Sequence, residues 1–210
     1  MVLAYDKQSL RNLAELKLQN KIKKPSRYNL QKPKESFTTE RNKKVAKTRR
    51  QRGYNWEDTL VKRFNALDGW KAFRLGSPSV ALPDILAVSS VQNTIFTIEA
   101  KSGTGTTLQV PYDQIIRCLK WIHTFERYGT RKTIIAFKFL SKKRIGVGKY
   151  EHRQLREFYK TWNESNEITD FVCTYEGETY ALVDGKRQIL DLEDYQMPFI
   201  NKLIKHRILL

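Results

Sequence analysis

Hydrophobic spacing divides the chain into segments of different period. From Asn55 the stretch NWEDTLVKRFNAL places Trp56, Leu60, Phe64 and Leu67 three or four residues apart, behind an asparagine suited to an N-cap and two acids in the first turn. That pattern predicts an amphipathic helix. The period then shortens: WKAFRL, residues 83–89 and residues 94–101 have the length and apolar content of strands, with SSVQN connecting the last two as a hairpin. Pro111 suits the first turn of a second helix that carries Ile115, Leu119, Ile122 and Phe125 on one face, runs to about Tyr128 and stops at Gly129. KTIIAFKFL is dense enough in apolar residues for a buried fourth strand.

Helix, three strands, helix, strand is the order of an α/β fold with a mixed sheet flanked by helices. Beyond Ser141, YEHRQLREFYKTW reads as helical and FVCTYEGETYALV as a hairpin turning at Glu176 and Gly177. The pattern leaves open whether these extend the first sheet or build a second unit. Near the start, Leu10, Leu13, Leu16 and Leu18 stand among charges and predict a short helix over residues 9–24, of marginal stability alone. Residues 25–53 hold two prolines, the runs RNKKVAK and RRQRG, and few large apolar side chains, a composition that does not offset ordering entropy by burial. They read as a flexible basic arm. The expected organisation is an arm with a short helix over 1–50, a core over 51–141 and a C-terminal α+β extension over 142–210.

Charge sharpens this division. The chain has 39 Lys and Arg against 22 Asp and Glu, a formal net charge of +17, far beyond what solubility asks and indicative of a polyanionic partner: nucleic acid first, an acidic membrane surface second. Residues 1–53 hold 16 of the basic residues against 4 acids, and Lys43, Lys44, Lys47, Arg49, Arg50 and Arg52 form the densest group, the first candidates for phosphate contacts. The two cysteines, Cys118 and Cys173, lie too far apart in sequence to suggest a zinc site or a disulfide framework, which fits a reducing, cytoplasmic setting. The opening MVLAYDKQSL lacks a basic segment followed by an apolar one, and no run approaches the roughly 18 apolar residues of a membrane span. A soluble protein with no membrane partner is expected.

One hairpin carries chemistry. In LPDILAVSSVQNTIFTIEAK, residues 82–101, Asp84, Glu99 and Lys101 stand at the mouth of an otherwise apolar pair of strands. A turn centred between Val91 and Gln92 sets Asp84 directly opposite Glu99, with Cβ atoms about 4.5–5.5 Å apart. Alternation puts Lys101 on the face of Glu99, and Ile85, Ala87, Phe96 and Ile98 on the other face. Two facing carboxylates repel, so something compensates them: Lys101 alone in a structural ion-pair cluster, or a divalent cation. Oxygen ligands without His or Cys favour Mg²⁺ or Mn²⁺ over Zn²⁺. Glu57, in the first turn of the first helix, borders its buried face; it serves either the helix dipole or the same acidic set. His123 and His152 have no acid or serine at a telling spacing, and SGTGTT lacks the Gly-Lys-Ser/Thr ending of a phosphate-binding loop.

Glu57, Pro83-Asp84 and Glu99-Ala100-Lys101 together resemble the E…PD…(D/E)xK pattern of the PD-(D/E)xK nuclease superfamily. Within it the chain is most similar to the archaeal Holliday junction resolvases: GYNWE matches their Gly-x-x-x-Glu helix start, followed by KAFRL, the serine-containing GSPS, PDIL, IEAK and the glutamine-containing VPYDQIIRCLKWI. The resemblance covers roughly residues 50–140. It implies a restriction-endonuclease-like fold and a metal-dependent, structure-selective DNA endonuclease. It further implies that Asp84 and Glu99 hold Mg²⁺ (Mn²⁺ as substitute), that Glu57 completes the acidic set, and that Lys101 positions or activates the attacking water. Ser77, with Ser79 second, is the loop serine, and Gln114 supports the site. A homodimer cutting four-way junctions symmetrically in the course of recombination and repair, associated with the chromosome, is what the family implies. The basic residues such enzymes carry in that loop are absent from GSPSVAL, which leaves a restriction or repair nuclease on another DNA structure, or a non-catalytic nucleic-acid-binding protein, as alternatives.

Overall fold

The computed structural model describes residues 37–75, 81–163 and 168–200. The short helix expected over 9–24 and the serines Ser77 and Ser79 lie outside the described residues. By its internal contacts the chain falls into two units, Met1–Asn42 and Lys43–Leu210, and every described strand belongs to the second.

The first described helix, α1, spans Phe37–Asn65. It therefore begins well before Asn55, and the segment expected to end a flexible arm is helical from Phe37 onward. The physical reason lies in propensity and nucleation: after Pro33 the run is rich in Lys and Arg, both good helix formers, and it leads directly into a half whose apolar face is packed. Nucleation is the costly step of helix formation, and the packed half supplies it. In that half Trp56, Leu60 and Phe64 are fully buried, as their spacing predicts, and Trp56 Nε1 donates to the Ala136 carbonyl at 3.2 Å, fixing the helix to the sheet.

Strands β1 (Lys71–Arg74), β2 (Ile85–Ser89), β3 (Thr94–Gly103), β5 (Thr130–Phe139) and β8 (Arg156–Trp162) form a sheet in the order β1-β2-β3-β5-β8. β3 and β5 run parallel; the other neighbours are antiparallel. The parallel pair needs a crossover. It is made by β4 (Thr107–Pro111), a strand that the sequence pattern does not predict, and by α2 (Tyr112–His123), capped at Pro111. α2 ends at His123 rather than near Tyr128, because Thr124 closes it: its N–H and its hydroxyl both donate to the Trp121 carbonyl. Phe125 and Tyr128 continue as a turn, with the rings of Trp121, Phe125 and Tyr128 packed one against the next.

The region after Ser141 neither contains the expected helix nor stands apart. YEHRQLREFYKTW forms β7 (Tyr150–His152) and β8, and β8 completes the main sheet beside β5. β9 (Asp170–Thr174) and β10 (Thr179–Val183) form the predicted hairpin, with Gly177 at φ 94°, and with β11 (Lys186–Ile189) they pair onto β4 in a second, four-stranded sheet. β6 (Lys142–Arg144) and β7 make a separate small hairpin. The residues expected to be an extension thus complete the fold. Two apolar cores result: Trp56, Leu60 and Phe64 of α1 pack with Ile85, Phe96, Ile98 and Phe199 on one face, and Ile115 of α2 packs with Phe137, Trp162 and Phe171 on the other. β3, between both layers, is buried from Thr94 to Ala100 although Thr94, Thr97 and Glu99 are polar.

Candidate active site

The site depends on the register of β2 against β3, and the turn between them sets it. Ser89 pairs with Thr94 and Ile85 with Ile98, so Ser90–Asn93 form the loop and one further step brings Asp84 opposite Glu99, as the sequence predicts. The loop is closed by its own polar groups: the Ser89 hydroxyl accepts from the Gln92 N–H, the Thr94 hydroxyl donates to the Gln92 carbonyl, and Asn93 takes φ 48°. A one-residue slip would move every side chain to the opposite face.

At the mouth of the hairpin Asp84 is partly buried, and its Oδ2 accepts a hydrogen bond from the Ala100 N–H at 2.9 Å. Glu99 is 1% exposed and receives the Lys101 ammonium on Oε1 at 2.6 Å, while Arg117 Nη2 of α2 stands 3.8 Å from Oε2. Glu57 is buried beside them at the first packed turn of α1, with Arg74 of β1 3.9 Å away. Burial, together with the Asp84 charge, pushes the Glu57 carboxyl up to about 7, against the pull of Arg74. Burial pushes Glu99 up to about 7 as well; Lys101 and Arg117 oppose that rise and Asp84 adds to it. Glu99 Oε2 is buried and has no hydrogen-bond donor.

Burial thus disfavours the ionised forms of Glu57 and Glu99 even with Arg74, Lys101 and Arg117 beside them. An orphaned buried carboxylate oxygen beside a second, oriented carboxylate is suited to a hard cation, which takes oxygen ligands and would stabilise the ionised forms. Among the described residues no three His, Cys, Asp or Glu side chains converge as a self-sufficient metal cage.

Of the expected residues, Asp84, Glu99, Lys101 and Glu57 meet at this end of the sheet. Gln114, at the start of α2, has a buried Oε1 without a hydrogen-bond partner. Arg117 falls within VPYDQIIRCLKWI but is not among the expected site residues; it lies three residues beyond Gln114, on the same helical face, and that spacing is the available signal. Trp121, one turn further, donates to the Ala81 carbonyl at 3.0 Å and ties the chain before Pro83-Asp84 to α2. The basic group lies on the N-terminal part of α1, where Lys43, Lys44, Lys47, Arg49 and Arg50 are exposed and Arg52 is partly buried. The Ser102 hydroxyl donates to the Arg52 carbonyl at 3.3 Å, joining that basic helix to the strand that carries Glu99 and Lys101.

A family model described as archaeal Holliday junction resolvase matches residues 48–180, well over half the chain, from within α1 to the start of β10. The chain belongs to the archaeal Holliday junction resolvase family. It is thus a nuclease of the structure-selective, junction-cutting class, and resolvases of this family depend on a divalent metal. Among solved structures, a Holliday junction resolvase from the archaeal hyperthermophile Archaeoglobus fulgidus is similar at 18% identity over 60% of this chain and 85% of that one, with a TM-score of 0.41. No curated protein matches the sequence. Among the described residues no helix is long and apolar enough to cross a membrane.

Proposed function

We propose that this resolvase cleaves four-way DNA junctions with Asp84 and Glu99 as ligands of one or more Mg²⁺ ions, with Mn²⁺ as substitute. The observation that carries this reading is the Glu99 carboxylate: buried, raised to about 7, and with one oxygen lacking a donor beside oriented Asp84. When bound, the cation supplies Lewis-acid stabilisation of the reacting phosphate and lowers the pKa of a bound water.

The protein's own groups do the rest. The Ala100 N–H aims the Asp84 carboxylate. Lys101, 25% exposed and held by Glu99, keeps an ammonium beside the carboxylates, where it positions the attacking water and stabilises charge growing on the phosphoryl oxygens. Glu57 adds negative charge at the third corner of the site and takes up or releases a proton near neutral pH, with Arg74 holding its orientation. Gln114 and Arg117 support the site from α2, and Ser77, with Ser79 second, is the serine that the family resemblance implies.

Binding is separate from cutting. Lys43, Lys47 and Arg50 recur at helical spacing along α1, and with Lys44, Arg49 and Arg52 they contact phosphates without reading bases. A homodimer places two such sites about a two-fold axis, matching symmetric paired incisions. The enzyme is soluble and works at the chromosome.

Incubation with a synthetic four-way junction and a linear duplex of the same sequence tests this. Paired nicks near the branch in Mg²⁺, none in chelator and none in the duplex are expected. Equal cutting of both substrates, or cutting in chelator, would overturn it.

A further inference from the structure

The hairpin of β6 and β7 has no part in the chemistry at Asp84 and Glu99, and it is built unlike the rest of its region. Residues 142–153 hold five Lys and Arg against one Glu, whereas residues 154–210 hold seven against ten. A positive hairpin therefore stands in an otherwise acidic stretch. Register sorts its side chains: Lys142 pairs with His152, Lys143 with Glu151 and Arg144 with Tyr150. Lys143 and Glu151 share one face, and with Thr106, Arg153, Thr174 and Tyr175 they line a cavity of about 430 Å³ against the second sheet. Lys142, Arg144, Tyr150 and His152 are on the other face, and all four are exposed.

The tip is apolar. Ile145 is 58% exposed, Val147 68% and Tyr150 48%, within six residues of one another. Isolated exposed hydrophobics need no explanation, but three on one short basic hairpin do. Val147 lies between Gly146 and Gly148, with Gly148 at φ 73° and open space where a Cβ would point, so the apex is thin. The base, by contrast, is braced: the Ile145 N–H donates to the Lys149 carbonyl, the Arg153 N–H to the Ser141 carbonyl, and the Arg153 guanidinium to the Leu140 and Gly105 carbonyls.

The hairpin is tied to the catalytic strand. The Arg144 N–H donates to the Thr104 carbonyl at 3.1 Å, and Thr104 is three residues beyond Lys101, about 10 Å at 3.3 Å per residue. On a duplex that distance corresponds to about three base steps at 3.4 Å each. A rigid base, a cationic outer face and a thin apolar tip match the way apolar wedges enter DNA, where the cost of unstacking is least at bases already unpaired or strained. A branch point interrupts stacking while its bases stay paired, so the steps beside it open at less cost than those of a continuous duplex.

We propose that the β6–β7 hairpin is a branch-point probe: Lys142, Arg144 and Lys149 hold phosphates of a junction arm while Ile145 and Val147 press against the bases at the crossover. This rests on the nuclease reading for its substrate and adds the element that distinguishes branched from linear DNA.

The test uses the full chain in chelator, where DNA is bound and not cut. Affinities are measured for a four-way junction and a linear duplex, with 2-aminopurine placed at the branch. Ile145→Ser with Val147→Ser is expected to lower junction affinity about tenfold, leave duplex affinity within twofold, and remove the 2-aminopurine fluorescence increase expected with the unmodified protein. Lys142→Ala, Arg144→Ala and Lys149→Ala together are expected to weaken both substrates and flatten the salt dependence by about two to three in log–log slope. An unchanged junction-to-duplex ratio in the tip variant, or an equal loss on both DNAs, would overturn the proposal. Thermal midpoints within a few degrees of the unmodified protein establish that the exposed substitutions leave the fold intact. Junction cutting by the unmodified protein in Mg²⁺, run alongside, reports on the nuclease reading separately: its absence would sink that reading, while the binding ratios decide the hairpin.

Discussion

The backbone N–H of Ala100 donates a 2.9 Å hydrogen bond to Asp84 Oδ2, so the residue between Glu99 and Lys101 aims the acid on the neighbouring strand. One three-residue segment of β3 thereby supplies a carboxylate, the orientation of a second carboxylate, and an ammonium on the face of the first. Alternation along the strand makes this economical: Glu99 and Lys101 point to one side, and the N–H of the residue between them is directed along the sheet toward β2.

Proton linkage follows from the burial of that cluster. Glu57 and Glu99 have folded-state values of about 7 against an ordinary 4.5, so the folded chain binds more protons than the unfolded one between those values. Stability of the metal-free protein therefore falls as pH rises from about 4.5 through 7. Glu99→Gln removes one such group and should be more stable than the unmodified protein at pH 8, by roughly 3 kcal/mol, with little difference at pH 4.5. Thermal melts in chelator across that range check this; a variant less stable than the parent at pH 8 would contradict the strained-carboxylate reading. Mg²⁺ should raise the midpoint of the parent at pH 8 and not that of the variant.

The basic face of α1 predicts a salt signature. Lys43→Ala, Lys47→Ala and Arg50→Ala in one chain should weaken junction and duplex binding alike and reduce the log–log salt slope by about three, one per lost phosphate contact. Fluorescence anisotropy titrations at several salt concentrations measure it, and an unaltered slope would show that these side chains do not touch DNA.

Lys101 separates catalysis from binding. Lys101→Met keeps much of the aliphatic stem and loses the ammonium 2.6 Å from Glu99. Single-turnover cleavage should drop by about a hundredfold or more, with junction affinity within a few-fold. A matching fall in both would assign Lys101 to binding.

The region after Ser141 is integral to the fold. Truncation there removes β8 from the edge of β5, and Trp162, Phe171 and Cys173 from the second core. Removing several large buried side chains costs more than the few kcal/mol by which domains are stable. The truncated chain should show no cooperative melt by circular dichroism; a sharp transition would mean that residues 142–210 are dispensable.

Much of the site is legible in the sequence because its determinants are local. A short turn and strict alternation over Ile85, Ala87, Phe96 and Ile98 suffice to bring Asp84 opposite Glu99. The features that the sequence hides depend on partners remote along the chain. β4 is short, follows Gly105 and ends on Pro111, and it becomes a strand only because β9 pairs with it. β8 looks helical from its charges, yet Tyr159 and Trp162 are buried, and Glu157 forms an ion pair with Arg63 of α1, 94 residues earlier. The N-terminal part of α1 departs from expectation for the opposite reason: composition speaks against burial, whereas helix propensity and a packed continuation are enough to order it.

Single-turnover incision of a four-way junction by Asp84→Asn and by Glu99→Gln, beside the unmodified protein in Mg²⁺, bears most directly on the proposed chemistry. Asparagine can still accept the Ala100 N–H, and glutamine keeps the size of the buried side chain, so each change removes little besides a negative ligand. Loss of cutting by at least a thousandfold, with junction affinity retained within a few-fold, is the expected result. Cutting by either variant at close to the unmodified rate would contradict the assignment of these two carboxylates.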